Sequence, residues 1–322
     1  LEFGLWNGLL TGNFDYFYES RTDILTQYLT RPQWVGVVMA AGNLGKTKNQ
    51  GVELELKHNN RIGKDFYYNV GFTFSHARNE ILDMDEPDAK TGYRKQEGHP
   101  INQYFGLICD GFVTQADLDN PNFPKSTYGN VQVGDLKYRD MNGDGFIDDR
   151  DETFIGYSDI PENTYALTLG AQWKGIGFSV MFQGVDHVSR FYDAEAMFAF
   201  VNGGKVKEHH LGRWNPAMSE EYNLANATYP LLHYDSYGNH NQRQNSFFLK
   251  NGAFLRLKNI ELSYSLPQSW IKKAAMKECR IYVNASNLVT WDHLGGLTDP
   301  ESNGSNRYPI MKTVNFGVNI QF

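Results

Sequence analysis

The residues with the clearest chemistry form an acidic segment near the middle of the chain. Carboxylate and amide side chains alternate there with other residues, and a glycine stands at the sixth position. Oxygen ligands at positions 1, 3, 5, 7, 9 and 12 of such a loop wrap a hard cation of the size of Ca²⁺. The spacing predicts a structural Ca²⁺ site, or a Mg²⁺ site. Its ligands would be Asp140, Asn142, Asp144, Phe146 (through its backbone carbonyl), Asp148 and Asp151.

This segment departs from the usual pattern at its last position. Asp151 stands where a longer glutamate normally closes the coordination sphere, and Glu152 follows it. Two interpretations stay open, a weak cation site and an acidic turn without a metal. A catalytic role would need an open coordination position and a general base, and the sequence indicates neither. We therefore expect a clip that holds an outer loop.

A second candidate group consists of aromatic and polar side chains in long polar segments. Aromatic rings stack on the apolar faces of sugars, and amides bind hydroxyl groups. The alternative is that these side chains pack within the loops or against a partner protein. No nucleophile signature such as G-x-S-x-G occurs, so we predict a binding protein and no enzyme. The candidate ligand-binding residues are Trp34, Trp214, Tyr234, Tyr237, Asn241 and Arg243.

The elements that must position these groups are strands with one apolar and one polar face. Successive side chains of a strand point to opposite faces, so apolar residues at every second position predict such a strand. The pattern recurs at residues 52–57, 68–75, 165–173, 281–286 and 313–322. The last of these has its apolar side chains at Val314, Phe316, Val318, Ile320 and Phe322.

Short and long connections alternate between the nine predicted strands. The long segments are 19–49, 77–163, 186–251 and 291–312, and the connections between them are short. Outer-membrane barrels have this asymmetry, with tight periplasmic turns and extended outer loops. We therefore predict an all-β, antiparallel transmembrane β-barrel. Nine strands alone would leave two open edges in lipid, so they would form part of a larger barrel. Phe322 would lie at the periplasmic rim as an assembly signal.

Composition agrees with a barrel and excludes other classes. Aromatic residues make up 14% of the chain, as expected for interfacial girdles, and no apolar run is long enough for a membrane helix. A net charge of −7 argues against nucleic acid as a partner. The first residues are already strand-like and do not resemble a signal peptide, so we expect the chain to begin within the architecture.

One predicted strand changes parity. Leu255 and Leu257 stand on odd positions, whereas Ile260 and Leu262 stand on even ones. A β-bulge near residues 258–259 would switch the facing. Alternatively, the residues before the switch lie above the bilayer, where facing does not matter. The second interpretation is the one we prefer from the sequence.

Several motifs, in order along the chain, resemble those of SusC-like TonB-dependent transporters of Bacteroidetes. They are NQGVELEL (49–56), GDLKYRDMNGDGFID (134–148), FLRLKNI (254–260), NASNL (284–288) and DPE (299–301).

The resemblance implies the C-terminal part of a 22-stranded, plugged barrel in the bacterial outer membrane. It further implies import of glycan or peptide oligomers, a SusD-like surface lipoprotein as lid, and TonB as the energising partner. The plug and the TonB-binding segment would belong to an N-terminal part that this sequence does not contain. Two alternatives remain, a siderophore or cobalamin receptor of the same class and a secreted calcium-dependent carbohydrate-binding β-sandwich.

Overall fold

The computed structural model describes residues 1–30, 36, 40–87, 90, 92–192, 197–234, 239–302, 308 and 310–322. Strands dominate, as the alternating pattern predicts. In chain order they are β1 (Glu2–Leu5), β2 (Leu10–Thr26), β3 (Gly42–Ile62), β4 (Phe66–Asp83), β5 (Gln103–Gly106), β6 (Cys109–Phe112), β7 (Lys125–Ser126), β8 (Leu136–Tyr138), β9 (Phe146–Ile147), β10 (Thr153–Ser158), β11 (Asn163–Trp173), β12 (Ile176–Asp186), β13 (Ser189–Phe191), β14 (Leu249–Asn251), β15 (Phe254–Ser265), β16 (Glu278–Asp292) and β17 (Thr313–Gln321).

Nine of these strands form one antiparallel sheet, in the order β1-β2-β3-β4-β11-β12-β15-β16-β17. Neighbours in this sheet follow one another along the chain apart from the small strands inserted in the long connections. At one end the turns are tight. Lys174 and Gly175, for example, join β11 to β12 with φ angles of 46° and 88°, the left-handed conformation of a two-residue hairpin turn. The predicted number of strands and the alternation of short with long connections are both confirmed.

The register gives the sheet two chemically different faces. Residues paired directly across an antiparallel ladder point to the same side. Leu54 lies opposite Phe74, which lies opposite Tyr165, and these rows continue as an apolar face. The intervening rows are polar, such as Glu53 opposite Ser75. The apolar face is open to the surroundings, and the Phe316 side chain on β17 is 83% exposed. This is the arrangement of a barrel wall with lipid outside and water inside.

A β-bulge accounts for the change of parity in β15. Phe182 pairs with Leu257, but the preceding Met181 pairs with Asn259, so that Lys258 is the extra residue of the bulge. On the other side, the ladder with β16 shifts at the same place, where Asn287 adopts a left-handed φ of 57°. The bulge turns Leu257 and Ile260 to the same face. The interpretation preferred from the sequence, that position relative to the bilayer explains the parity, is therefore wrong.

The long connections pack into a layer at one edge of the sheet. We call the described residues within 84–162, 187–253 and 293–302 the loop layer. It contains the small strands β5–β10, β13 and β14, and its apolar core draws on all three segments, for example through Leu136, Phe248 and Leu294. The sequence suggested only long polar loops, because residues that meet in this core lie far apart along the chain. Its main core residues are Leu107, Leu136, Tyr138, Ile147, Tyr192, Met197, Phe198, Val201, Tyr229, Phe248 and Leu294.

The ladders also extend beyond the predicted strand ends. The pairing of β2 with β3 continues to Thr26 opposite Gly42, so the first long connection is shorter than the segment 19–49 predicted from the sequence. Helices are short, and none among the described residues is long and apolar enough to cross a membrane. The α-helices given whole by the described residues are Gln115–Asp119, Glu220–Asn226 and Gln268–Ile271, and the 3₁₀ helices are Gly92–Arg94, Asp149–Asp151, Val201–Gly203, Glu208–Gly212, His240–Gln242 and Lys272–Ala274.

Candidate functional site

The predicted cation loop is closed in the structure by hydrogen bonds that its first residue accepts. The two carboxylate oxygens of Asp140 accept from the backbone N–H groups of Gly143 (2.7 Å) and Gly145 (2.9 Å). Both glycines have positive φ angles, 72° and 80°, which a side chain at either position would disfavour. The backbone thus wraps around the first carboxylate of the motif.

The last residue of the motif fastens the other end of the loop. Asp151 is fully buried, and its carboxylate accepts from the N–H groups of Met141 and Asp148, each at 2.9 Å. Positions 1 and 12 of the motif are therefore both engaged with loop backbone. The loop joins its neighbours through β7 and β9, which pair in parallel.

The positive charge among these carboxylates comes from an arginine. The Arg150 guanidinium lies 2.7 Å from carboxylate oxygens of both Asp144 and Asp148, and it holds the pKa of Asp148 below its usual value. Within the described ranges, no three His, Cys, Asp or Glu side chains are grouped so that they could hold a metal ion. In this arrangement Arg150 neutralises part of the charge of the predicted ligands. The cation site stays a prediction.

Of the predicted ligand-binding residues, two are buried inside the loop layer. The Trp214 ring is buried against Gly134 and Phe112. Asn241 is buried, and its amide donates to Asp135 Oδ1 (2.7 Å) and accepts from the backbone N–H of Leu136 (2.9 Å). These contacts lie within the chain.

The other four candidate residues are more exposed or lie outside the described residues. Arg243 bonds Asp149 Oδ1 (2.7 Å) and lies 4.3 Å from the centre of the Tyr128 ring, so it too is engaged within the chain. Tyr234 is 88% exposed, has an edge contact to the Phe200 ring, and can reach a ligand or a partner. Trp34 and Tyr237 lie outside the described residues.

Phe322, the predicted assembly residue, lies just beyond β17, and its ring is exposed on the parity of the apolar face.

A buried network that the sequence did not predict joins the loop layer internally. Asp135 accepts from the backbone N–H of Gln132 (2.8 Å), lies 2.5 Å from His233 Nε2 and accepts from Asn241. His233 and Asn241 lie 98 and 106 positions from Asp135 in sequence. No local spacing could therefore have indicated the network.

A second buried network holds the loop layer to the sheet. The Arg256 side chain is 1% exposed and bonds Asp299 Oδ2 (2.6 Å) and Glu301 Oε2 (2.5 Å). Lys258 adds a contact to Glu301 at 2.9 Å. Two of the motifs noted in the sequence, at 254–260 and 299–301, thus meet in one ion-pair cluster. Their spacing in sequence gave no sign of this contact.

The polar face of the sheet presents carboxylates and hydroxyl and amide groups. Asp15 and Glu53 lie directly opposite each other, and Glu53 lies opposite Ser75. A shallow groove runs over this face and includes Thr73 and Gln183. The arrangement offers hydrogen-bond donors and acceptors to a polar molecule along the inner wall.

A single antiparallel sheet with an open apolar face, a polar face and a packed loop layer at one edge defines the wall of an outer-membrane barrel. The chain belongs to the TonB-dependent receptor family, because the family described as "TonB dependent receptor-like, beta-barrel" matches residues 1–288. Members of this family are outer-membrane transporters and not enzymes. The β-sandwich alternative is therefore wrong.

Curated relatives are similar over the whole chain. TonB-dependent receptor P3 of Formosa agariphila is 25% identical over 355 residues, covering 100% of this chain and 33% of the relative. TonB-dependent receptor SusC of Bacteroides thetaiotaomicron is 24% identical over 335 residues, covering 100% and 31%. The chain thus spans about a third of the length of the curated relatives that it matches. The SusC relative supports the resemblance seen in the sequence.

Solved structures share the fold. The RagAB peptide transporter matches with a TM-score of 0.71 at 24% identity, covering 100% of this chain and 34% of that one. The RagAB peptide importer in its "open-open" state matches with a TM-score of 0.73 at 24% identity, covering 99% and 33%. The nine-stranded sheet and its loop layer are thus similar to part of a known transporter barrel.

Proposed function

We propose that the protein containing this chain imports oligomers across the bacterial outer membrane as a TonB-dependent transporter of the SusC type. The observation that carries the proposal is the family match over residues 1–288, combined with a sheet whose inner face is polar and whose outer face is apolar. A wall of this kind belongs in the outer membrane, where the inner face lines a water-filled path. Import against a gradient needs energy, which TonB would supply.

The substrate class that we propose is a glycan or peptide oligomer. The inner face carries mainly carboxylate, hydroxyl and amide groups, which suit repeated hydroxyl or amide groups of an oligomer. The similarity to SusC and to a peptide transporter supports the same class. A siderophore or cobalamin receptor is the alternative within the family.

The partner that we propose is a SusD-like surface lipoprotein covering the loop layer. The helices Gln115–Asp119 and Glu220–Asn226 are joined by a hydrogen bond from the Gln115 N–H to Glu220 Oε2 (2.9 Å). Leu118 on the first helix and Leu224 on the second expose their side chains. Exposed apolar groups on a rigid, folded layer are typical of a protein contact surface.

Deletion of the gene in its host tests the proposed function. We expect loss of growth on one class of glycan or peptide oligomer, unchanged growth on the corresponding monomer, and the same loss when TonB is depleted. A complementing copy should restore growth and copurify with a SusD-like lipoprotein. A growth defect confined to iron or cobalamin limitation would instead establish the receptor alternative.

A further inference from the structure

Two cations stand side by side on a ribbon above the sheet. The ribbon consists of β13 and β14, which continue β12 and β15 into the loop layer. Arg190 lies directly opposite Lys250 in this antiparallel pair. Their side chains therefore leave the ribbon on the same face, with Cβ atoms about 5 Å apart.

This face of the ribbon is on the side of the polar inner wall. A Cβ placed on Gly252 would lie 2.9 Å from Arg190 Cγ and 3.3 Å from Val188 Cγ1, so Arg190 and Val188 share one side. Val188 packs with Val185 and Phe254 in a small buried cluster. Val185 is paired with Thr164, which belongs to the polar rows of the sheet. The two cations thus stand over the inner wall, at its loop-layer end.

Within the described residues, backbone carbonyls and one aromatic ring surround these two cations. The Arg190 guanidinium donates through Nη1 to the backbone carbonyls of Asp159 and Ser189, while its Nε is buried without a hydrogen-bond partner among the described residues. Lys250 Nζ donates to the carbonyl of Phe247 at 3.4 Å and lies 5.6 Å from the centre of that ring. In the part of the chain that the structure describes, no carboxylate lies within 4.0 Å of either cation.

Two other cations of the sheet, on β15, differ from Arg190 and Lys250 in their charge balance. Arg256 and Lys258 occupy the inner side of β15, and both pair with carboxylates of Asp299 and Glu301. Like charges placed directly opposite each other destabilise a β-ribbon. Burial also lowers the pKa of Lys250, because the ammonium group loses its contact with water. The pair therefore favours a negatively charged group supplied from outside.

We propose that Arg190 and Lys250 bind a carboxylate group of the imported oligomer. The inference rests on the proposed function. With Nη1 committed to backbone carbonyls and Nε buried, Nη2 is the guanidinium nitrogen that can donate to a carboxylate. The Lys250 ammonium adds a point charge beside it. Acidic peptides and uronic-acid glycans both present this chemical group.

Binding measurements on the purified full-length transporter test the assignment. Two probe pairs are compared, an end-blocked pentapeptide containing aspartate with its asparagine analogue, and a uronic-acid tetrasaccharide with its neutral counterpart. The variants are Arg190→Gln, Lys250→Gln and the charge-preserving Lys250→Arg. Lys125→Gln, which removes an exposed positive charge elsewhere in the loop layer, is the matched control. Thermal unfolding of each variant verifies that it is folded.

We expect the wild-type chain to bind the carboxylate member of one pair at least about tenfold more tightly than its neutral member, the difference that one charge-assisted hydrogen bond makes. Arg190→Gln and Lys250→Gln should abolish this ratio, whereas Lys250→Arg and Lys125→Gln should keep it. The pair that shows the ratio identifies the source of the carboxylate, peptide or glycan.

Three results would overturn the assignment. Equal binding of both members in each pair would refute it and leave the proposed function intact. No binding of any probe would count against both. A carboxylate preference that persists in both Arg190→Gln and Lys250→Gln would show that other groups of the protein bind the carboxylate.

Discussion

Replacing Arg256 with methionine tests how the loop layer is held to the barrel wall. The side chain is 1% exposed and forms two short ion pairs, to Asp299 and Glu301. Removing one partner of a buried ion pair typically costs 3–5 kcal/mol, because the remaining charge stays buried without compensation. The two carboxylates are 14% and 18% exposed and keep some contact with water. We therefore expect the lower end of that range, about 3 kcal/mol.

Hydrogen exchange of the backbone N–H groups next to Asp299 measures this loss of local stability. The N–H of Glu301 donates to Asp299 Oδ1 (3.0 Å), and the N–H of Ser302 donates to the Asp299 carbonyl (2.9 Å). Both bonds depend on the position of Asp299. If these two N–H groups exchange through local opening of this segment, a loss of about 3 kcal/mol in the free energy of opening accelerates exchange on the order of a hundredfold. Mass spectrometry of the peptide containing residues 299–302 follows this rate in the purified chain.

Lys258→Met is the matched control for this experiment. The Lys258 ammonium also pairs with Glu301, but its side chain is 29% exposed. Exposed ion pairs contribute about 0.2–1 kcal/mol, so exchange should accelerate by at most about fivefold. If Arg256→Met changes the rate by no more than the control does, the ion-pair cluster does not hold the loop layer and the reasoning is refuted.

Three further predictions concern the acidic loop, Phe322 and a partly buried thiol. Asp140→Ala combined with Asp144→Ala should raise protease cleavage of the loop, because Asp140 accepts hydrogen bonds from two glycine N–H groups. If Arg150 takes the place of a metal ion, neither calcium nor a chelator should change cleavage of the wild-type loop. Protection of the loop by calcium would instead support the cation site predicted from the sequence. Phe322→Ser should lower the amount of protein in the outer membrane, measured by fractionation and immunoblotting, because it removes an exposed aromatic ring from the apolar face; normal levels would refute its role in assembly. Burial raises the pKa of Cys109 to about 11, so the thiol should stay protonated at pH 8 and react with iodoacetamide more slowly than free cysteine does, and an equal rate measured by mass spectrometry would contradict this.

The sequence alone was enough to predict the barrel wall. Alternation of apolar and polar residues is a property of neighbouring positions, and a strand converts it directly into two faces. Turn residues such as Lys174 and Gly175 are also local signals, because a left-handed backbone is needed within the turn itself. Strand number, tight turns and outward-facing residues could therefore be derived before any contact was known.

The parity change in β15 shows where local information ends. The sequence revealed that Leu257 and Ile260 stand on different parities, but a bulge is defined by the partner strand. Only the pairing of Met181 with Asn259, and of Phe182 with Leu257, identified the extra residue. Register is a relation between two strands, so the pattern of one strand left two interpretations open.

Tertiary structure also decided what the polar side chains do. Asn241 and Trp214 are residue types that often bind ligands, and the fold buries both inside the loop layer. Arg190 and Lys250 carried no local motif, yet pairing across the ribbon places them together over the inner wall. Burial and charge balance arise from contacts between residues far apart in sequence, and those contacts exist only once the chain has folded.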